Sequence, residues 1–354
     1  MKATHRLRIV ADRNIPFIGE AVAGLGELSL LPGDAITSET LRDADILLTR
    51  TRTRCDAGLL DGSRCSFIGT ATIGTDHIDL DYCRRRGITV ANAPGCNAPA
   101  VAQYVLAAVQ STLGPEEGFA DRTLGIIGVG NVGSILRRWA LGLGMKVICN
   151  DPPRQEAGDT SIPYSDLDEI AAQCDVVSIH TPYTRGGLHP TYHLIDGKFL
   201  AATHRRPLIV NAARGPVADT AALKEAFDRG IISALAIDCW EGEPDIDLGL
   251  LDDALFATPH IAGYSRQGKV RATSMVLEAL AGHLQSHFGM EVSSRELTAG
   301  LPPVKAVPAT ITPEEIGYDI TADTLRLKSV PAPLIPSTFE SLRNNYPLRN
   351  EPGQ

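Results

Sequence analysis

The sequence predicts an α/β protein of two doubly wound α/β domains followed by a smaller module. Three observations point there. Short β-branched or apolar runs alternate with helical stretches through the first hundred residues, and the alternation resumes at Leu124. That is the pattern of mostly parallel sheets with crossover helices. At 354 residues the chain is also longer than one hydrophobic core usually serves. Beyond about residue 288 the character changes, with prolines at 302, 303, 308, 313, 331, 333 and 336 punctuating short apolar stretches.

Taken in order, Leu7–Ala11, Ile46–Leu48, Ser66–Gly69 and Ile88–Val90 read as strands, each apolar or β-branched and bounded by turn residues. Helical candidates lie between them at 15–25 and 79–86. A long helix begins at Asn97, a good N-cap, with Pro99 tolerated in its first turn. Val101, Tyr104, Val105, Ala108 and Val109 give that helix one apolar face. The loop Gly114–Arg122 leads to a second series of strands at Leu124–Val129, Lys146–Cys149, Asp175–Ile179, Pro207–Asn211 and Ser233–Ile237. A helix near 265–287 is expected to return the chain towards the first domain. After it, Phe288, Val304, Ile311, Ile316, Leu325, Leu327 and Phe339 are too many apolar residues for a solvated tail, so a small third module is expected. No internal repeat is visible.

The composition, 44% hydrophobic and 21% charged, is that of an ordinary globular protein. A net charge of −9 disfavours non-specific binding to nucleic acid or an anionic membrane, and no apolar run approaches membrane-spanning length. The start, Met1 to Arg6, lacks the apolar segment of a secretory signal. Seven cysteines form no C-x-x-C pair and read as reduced thiols in a cytosolic protein. No metal-ligand spacing stands out.

The chemistry begins at Leu124–Gly133, a buried strand running into Gly128-Val129-Gly130-Asn131-Val132-Gly133 and then a helix. In a G-x-G-x-x-G turn the glycines permit a tight bend, close approach to a pyrophosphate and close helix–strand packing. The helix start opened by Asn131 and Val132 offers free N–H groups to phosphates. Asp151 follows the next strand, eighteen residues after Gly133, where an acid accepts hydrogen bonds from a ribose and repels a 2′-phosphate. NAD is therefore the expected cofactor, although Arg154 nearby weakens the preference over NADP.

Three further residues each follow a strand of the second series: Arg214 in Asn211-Ala212-Ala213-Arg214-Gly215, Glu243 in Trp240-Glu241-Gly242-Glu243-Pro244, and His260 in Thr258-Pro259-His260-Ile261. Ligands of open α/β sheets bind outside the carboxyl ends of strands. Oxidising a hydroxy acid needs a base for the hydroxyl proton, a carboxylate to orient that base, and a cationic fork for the acid group. His260, Glu243 and Arg214 are those types.

These segments resemble the D-isomer-specific 2-hydroxyacid dehydrogenases over roughly residues 7–287. Within them, Gly69–Asp79, Ala93-Pro94-Gly95-Cys96-Asn97-Ala98, Cys239–Pro244, His260–Ser265 and Ser341–Pro347 resemble the erythronate-4-phosphate dehydrogenase family. The resemblance implies a flavodoxin-like substrate-binding lid domain at 1–97, joined by the helix 265–287. It implies a Rossmann NAD domain at 98–264 and a C-terminal α+β dimerisation domain at 288–354. It further implies NAD-dependent oxidation of 4-phospho-D-erythronate in vitamin B6 synthesis, by a cytoplasmic homodimer. Arg214 would bind and polarise the substrate, Glu243 would support His260, and His260 would be the acid/base. Asp151, Thr181, Ala212, Asp238 and Gly263 match the family's cofactor contacts, and Thr51, Thr72 and Tyr264 its substrate contacts. Thr51 stands where Ser is usual, which keeps the hydroxyl.

Arg50, Arg52 and Arg54 alternate, and alternate residues of an extended segment share a face. A second cationic patch suits a substrate anionic at both ends, Arg50 above all; a solvated basic edge strand is the plainer alternative. The competing functions are another 2-hydroxyacid dehydrogenase, such as one acting on phosphoglycerate, and a non-catalytic NAD-sensing corepressor on the same fold.

Overall fold

The apolar runs of the first hundred residues form five parallel strands, β1 (Leu7–Asp12), β2 (Gly26–Leu31), β3 (Ile46–Thr49), β4 (Phe67–Thr70) and β5 (Thr89–Ala91), in the order β2-β1-β3-β4-β5. That is the flavodoxin-like order, with its switch point between β1 and β3. The structure, a computed structural model, describes residues 6–113 and 117–354. Most of the amino-terminal stretch read above as leaderless, and part of the loop 114–122, lie outside the described residues. β2 has no counterpart in the sequence expectation: the helix read over 15–25 closes at Ile18–Val22, and the edge strand after it mixes Glu27 and Ser29 with leucines.

This first unit takes in residues 1–97 and 265–305. The helix Arg266–Phe288 starts where the Ser265 hydroxyl accepts the Gly268 N–H at 2.9 Å, and ends at left-handed Gly289. Its Val276, Leu277, Leu280 and Leu284 are buried in one core with Leu7, Ile9, Ile46, Leu48 and Phe67. At roughly 1.5–3 kcal/mol for each such side chain, that face is enough to hold the helix to this sheet.

The second unit takes in 98–264 and 306–354. Its strands are β6 (Thr123–Ile127), β7 (Lys146–Asn150), β8 (Val176–Ile179), β9 (Leu208–Asn211), β10 (Ala234–Ile237) and β11 (Phe256–Ala257). They are all parallel, in the order β11-β10-β9-β8-β6-β7. A full dinucleotide sheet, ordered 3-2-1-4-5-6, has one more strand outside β7. Here Ser165 N–H donates to Cys149 O at 2.8 Å, so the chain does run along that edge. Pro163 has no N–H for a ladder, and the segment stays irregular. The helix Ala98–Thr112, read as having one apolar face, is buried on every side from Ala98 to Val109.

Two expectations about the carboxy-terminal part are corrected. Among the described residues 288–354 hold no strand, so the α+β module is helical: Ser294–Thr298, Pro313–Ile316, Ile320–Lys328 and Ile335–Asn344. Nor does the segment stand apart, since it belongs to the first unit up to Lys305 and to the second from Ala306. The prolines remove ladder donors, and the apolar residues find partners in the existing cores. Ile311, Ile316 and Ile320 share a core with Leu136 and Trp139, whose indole N–H donates to Pro308 O at 2.9 Å. Leu327, Ile335 and Phe339 join the core of Ile237 and Trp240.

Candidate active site

The glycine turn follows β6 and opens the helix Asn131–Gly142. Gly128 has φ 90°, and a Cβ there would lie 2.8 Å from the His180 carbonyl carbon; one at Gly133 would lie 2.2 Å from Gly128 O. Gly130 is different, because nothing lies within 4 Å of its Cβ position. Its smallness leaves open space beside the exposed Asn131 and half-buried Val132, where a phosphate can approach the helix N–H groups. Asp151 directly follows β7; its carboxylate accepts Val129 N–H at 2.8 Å and Arg154 N–H at 3.1 Å. The Arg154 guanidinium is tied to Val129 O and to the Asp159 carboxylate, so the cation that weakened the NAD reading is already neutralised. Just past β8, the Thr181 hydroxyl oxygen is buried with no hydrogen-bond partner. A buried orphan of this kind is what a ligand's polar atom satisfies. The residues around the β6–β8 switch point therefore fit a dinucleotide.

Past β9, the Asn211 side chain donates to Arg214 O at 3.1 Å and accepts Ala213 N–H at 3.2 Å, shaping the turn that carries half-buried Ala212 and Arg214. Gly215 lets this turn press on the next loop, for a Cβ there would sit 2.0 Å from the Trp240 carbonyl carbon. In that next loop, Glu243 accepts Trp240 N–H at 2.8 Å through Oε1. Its Oε2 lies 2.8 Å from His260 Nδ1. His260 takes a left-handed φ of 56°, which its N–H bond to Asp238 O at 2.9 Å helps to hold.

Asp238 organises the loop around it. Its buried carboxylate accepts Ile261 N–H at 2.7 Å, Ala262 N–H at 3.0 Å and the Thr258 hydroxyl at 2.7 Å. Burial pushes the Asp238 carboxyl up, against the pull of His260 and these donors. Burial would also raise Glu243, but the His260 hydrogen bond and charge, Trp240 N–H and the Arg343 cation hold it below the ordinary range. Glu243 is therefore ionised near neutral pH. An ionised carboxylate only accepts, so Nδ1 of His260 carries the proton and Nε2 is the basic nitrogen, free for a substrate hydroxyl. The Cys239 thiol, Glu243 and His260 bring their ligand atoms within 4.8 Å of one another, a spacing a metal could bridge. Burial, followed by Asp238, pushes that thiol well above its usual value.

A base, its orienting acid and a cationic side chain thus stand past β9, β10 and β11, beside a dinucleotide cradle past β6 and β8. The family described as "D-isomer specific 2-hydroxyacid dehydrogenase, NAD binding domain" matches residues 106–262. An erythronate-4-phosphate dehydrogenase from Bacteroides fragilis is 45% identical over 354 residues, covering 98% of each chain. One from Pseudomonas entomophila is 44% identical over 97% of this chain and 92% of its own. The chain belongs to the erythronate-4-phosphate dehydrogenase family. Among solved structures, D-lactate dehydrogenase from Aquifex aeolicus complexed with NAD and lactic acid is similar at TM-score 0.64 and 28% identity, over 80% of this chain and 98% of that one.

The residues that the family resemblance assigned to substrate fall in different places. In the second unit, Tyr264 is half-buried, beside the half-buried cofactor candidate Gly263, and the Tyr264 hydroxyl accepts Arg343 Nε at 3.2 Å. In the first unit, Thr51 is exposed in the turn after β3, and Thr72 follows β4, its hydroxyl 2.7 Å from that of Thr70 and donating to Gly74 O at 3.0 Å. The shared face expected for Arg50, Arg52 and Arg54 is not formed. β3 ends at Thr49 and the chain turns, with Thr53 N–H donating back to Arg50 O at 3.4 Å. Arg54 pairs with Asp56 at 2.8 Å, while among the described residues Arg50 donates only to Asn14 O at 3.3 Å.

Several positioning residues escaped sequence reasoning. Asn211 and Trp240 had signals only in hindsight, as polar or bulky residues flanking the catalytic ones. Arg349 had none. From near the carboxyl terminus it donates to Ile261 O at 3.2 Å, Tyr264 O at 3.2 Å and Ala100 O at 3.0 Å, clasping the segment after His260.

Proposed function

We propose that this chain oxidises 4-phospho-D-erythronate to (R)-3-hydroxy-2-oxo-4-phosphooxybutanoate in pyridoxal 5′-phosphate synthesis. The observation that carries this is the His260 Nδ1–Glu243 Oε2 contact of 2.8 Å, set beside the Arg214 turn in a chain 45% identical to an erythronate-4-phosphate dehydrogenase. NAD, when bound, would supply the acceptor for the hydride leaving the carbon that bears the hydroxyl. His260 Nε2 takes the hydroxyl proton, Glu243 stabilises the resulting imidazolium, and Arg214 holds the carboxylate through paired N–H bonds. Gly128, Gly130, Asn131, Val132, Gly133, Asp151, Thr181, Ala212, Asp238 and Gly263 are the residues proposed to hold NAD. Asp238 already spends its carboxylate on the loop, so its part there is indirect.

The first unit is proposed to supply Arg50, Thr51 and Thr72 to the substrate. A homodimer is proposed as well, supported by the family resemblance and by Leu325 and Leu334, which are 63% and 52% exposed. Seven buried, unbridged cysteines among the described residues support a reducing, cytoplasmic setting, and no helix among them is long and apolar enough to cross a membrane. The experiment is NADH formation from 4-phospho-D-erythronate, D-erythronate and 3-phosphoglycerate. Fastest turnover of the first is expected, and faster turnover of either other acid would replace the substrate assignment.

A further inference from the structure

Arg343, in the helix Ile335–Asn344, enters the chemistry above only through its charge, which helps keep Glu243 ionised. The Arg343 side chain is half-buried, 19% exposed, and a guanidinium drawn partly out of water is costly unless its donors are met. Its Nε donates to the Tyr264 hydroxyl at 3.2 Å. Glu340 lies 3.9 Å from Nη1, beyond hydrogen-bond reach. Among the described residues it makes no other hydrogen bond, so both terminal nitrogens keep their donors. Arg349, in the same unit, shows the contrast. Its Nε donates to Gln103, its terminal nitrogens to Ile261 O, Tyr264 O, Ala100 O and Ala262 O, and its guanidinium lies 4.1 Å from the centre of the Tyr318 ring. Arg349 is spent on structure, whereas Arg343 is half-buried, aimed by one hydrogen bond to Tyr264, and has only a long ion pair to Glu340 on its terminal nitrogens. Its partner Tyr264 lies four residues past His260, and its charge acts on Glu243 and Cys239.

We propose that Arg343 is a specificity-determining residue that receives the phosphate of the substrate, with Tyr264 holding its guanidinium in place. This rests on the activity proposed above. A phosphate presents two oxygens to a guanidinium in parallel, and Arg214 is already engaged with the carboxylate end. A cation set in the wall of a site also discriminates. A hydroxyl in the phosphate's place leaves a half-buried charge unmatched, which is penalised more than the loss of a simple contact.

The test uses the full chain with NAD bound. Calorimetric titration with 4-phospho-D-erythronate and with D-erythronate reads binding, while NADH formation by the unaltered chain separately tests the activity. R343Q is expected to weaken binding of the phosphorylated acid by about 10–100-fold, the range for a lost charge-assisted hydrogen bond, with D-erythronate little changed. KM should rise more than kcat falls, and R343K, which keeps the charge, should recover part of the loss. Equal losses for both acids, unchanged affinity, or R343K as weak as R343Q would overturn the assignment. If R343Q does not fold, inorganic phosphate is titrated against 4-phospho-D-erythronate in the unaltered chain and in R343K. Weaker competition in R343K supports the contact, and equal competition overturns it.

Discussion

At the scale of single residues, the arrangement around His260 divides labour between its two nitrogens. Nδ1 faces an ionised Glu243 at 2.8 Å, so the ring is oriented and its Nε2 is basic. His260→Gln should therefore lower turnover by at least about a hundredfold, the usual scale for losing a general acid/base. The dissociation constant for NAD should stay nearly the same, because the glycine turn, Asp151 and Thr181 stand past other strands. Stopped-flow NADH formation and NAD titration check the two halves, and near-normal turnover would remove His260 from the mechanism. The three proposed catalytic residues were legible in the sequence because each follows a recognisable strand. Arg343 and Arg349 were not, since their partners at Tyr264 and Ile261 lie about eighty residues away in the chain.

The elements that matter most are the loops after β9, β10 and β11, which are stitched into one piece. Gly215 touches Trp240, the Trp240 indole donates to Thr258 O at 2.9 Å, and Asp238 ties Thr258 to Ala262. Gly215→Ala puts a methyl 2.0 Å from the Trp240 carbonyl carbon, so backbone must move and Arg214 with it. Turnover should fall at least about tenfold, with KM rising, since a small misplacement of a positioning group is costly; unaltered kinetics would show that the loops are not coupled. At the end of β8, burial lowers the His180 pKa from 6.5 to about 3. The folded chain thus keeps this ring neutral where the unfolded chain protonates it. Its contribution to stability is complete above about pH 6.5 and drains away as the pH falls towards 3. Thermal melts of the unaltered chain and His180→Gln from pH 7 to 4 should show a shallower acid loss in the variant, and parallel curves would mean the ring is not buried neutral.

For the whole molecule, the carboxy-terminal segment changes meaning. Ile311, Ile316 and Leu327, which led the sequence to suggest a separate third module, are all buried within their own chain. What remains for a partner is narrower, with Leu325 and Leu334 the large apolar side chains exposed there. If the proposed homodimer uses this face, Leu325→Arg should convert a dimer to a monomer at micromolar concentration. Sedimentation equilibrium checks it, and a variant that still dimerises would move the interface elsewhere.

The sequence by itself determined the two parallel α/β series, the glycine turn with its acid, and the candidate Arg, Glu and His that stand past β9, β10 and β11. These are written in local periodicities and in short motifs whose chemistry is carried by adjacent residues. It missed β2, whose edge position tolerates polar residues that blur the strand pattern, and it misread the arginines after β3, because a strand's end depends on its neighbours' lengths. Only the tertiary structure decided where the proline-rich segment goes. Its isoleucines carry the same drive to leave water wherever they are, and nothing local says which core has room for them. The same holds for Arg343 and Arg349, alike in sequence and separated in role solely by how many of their donors the folded chain has already claimed.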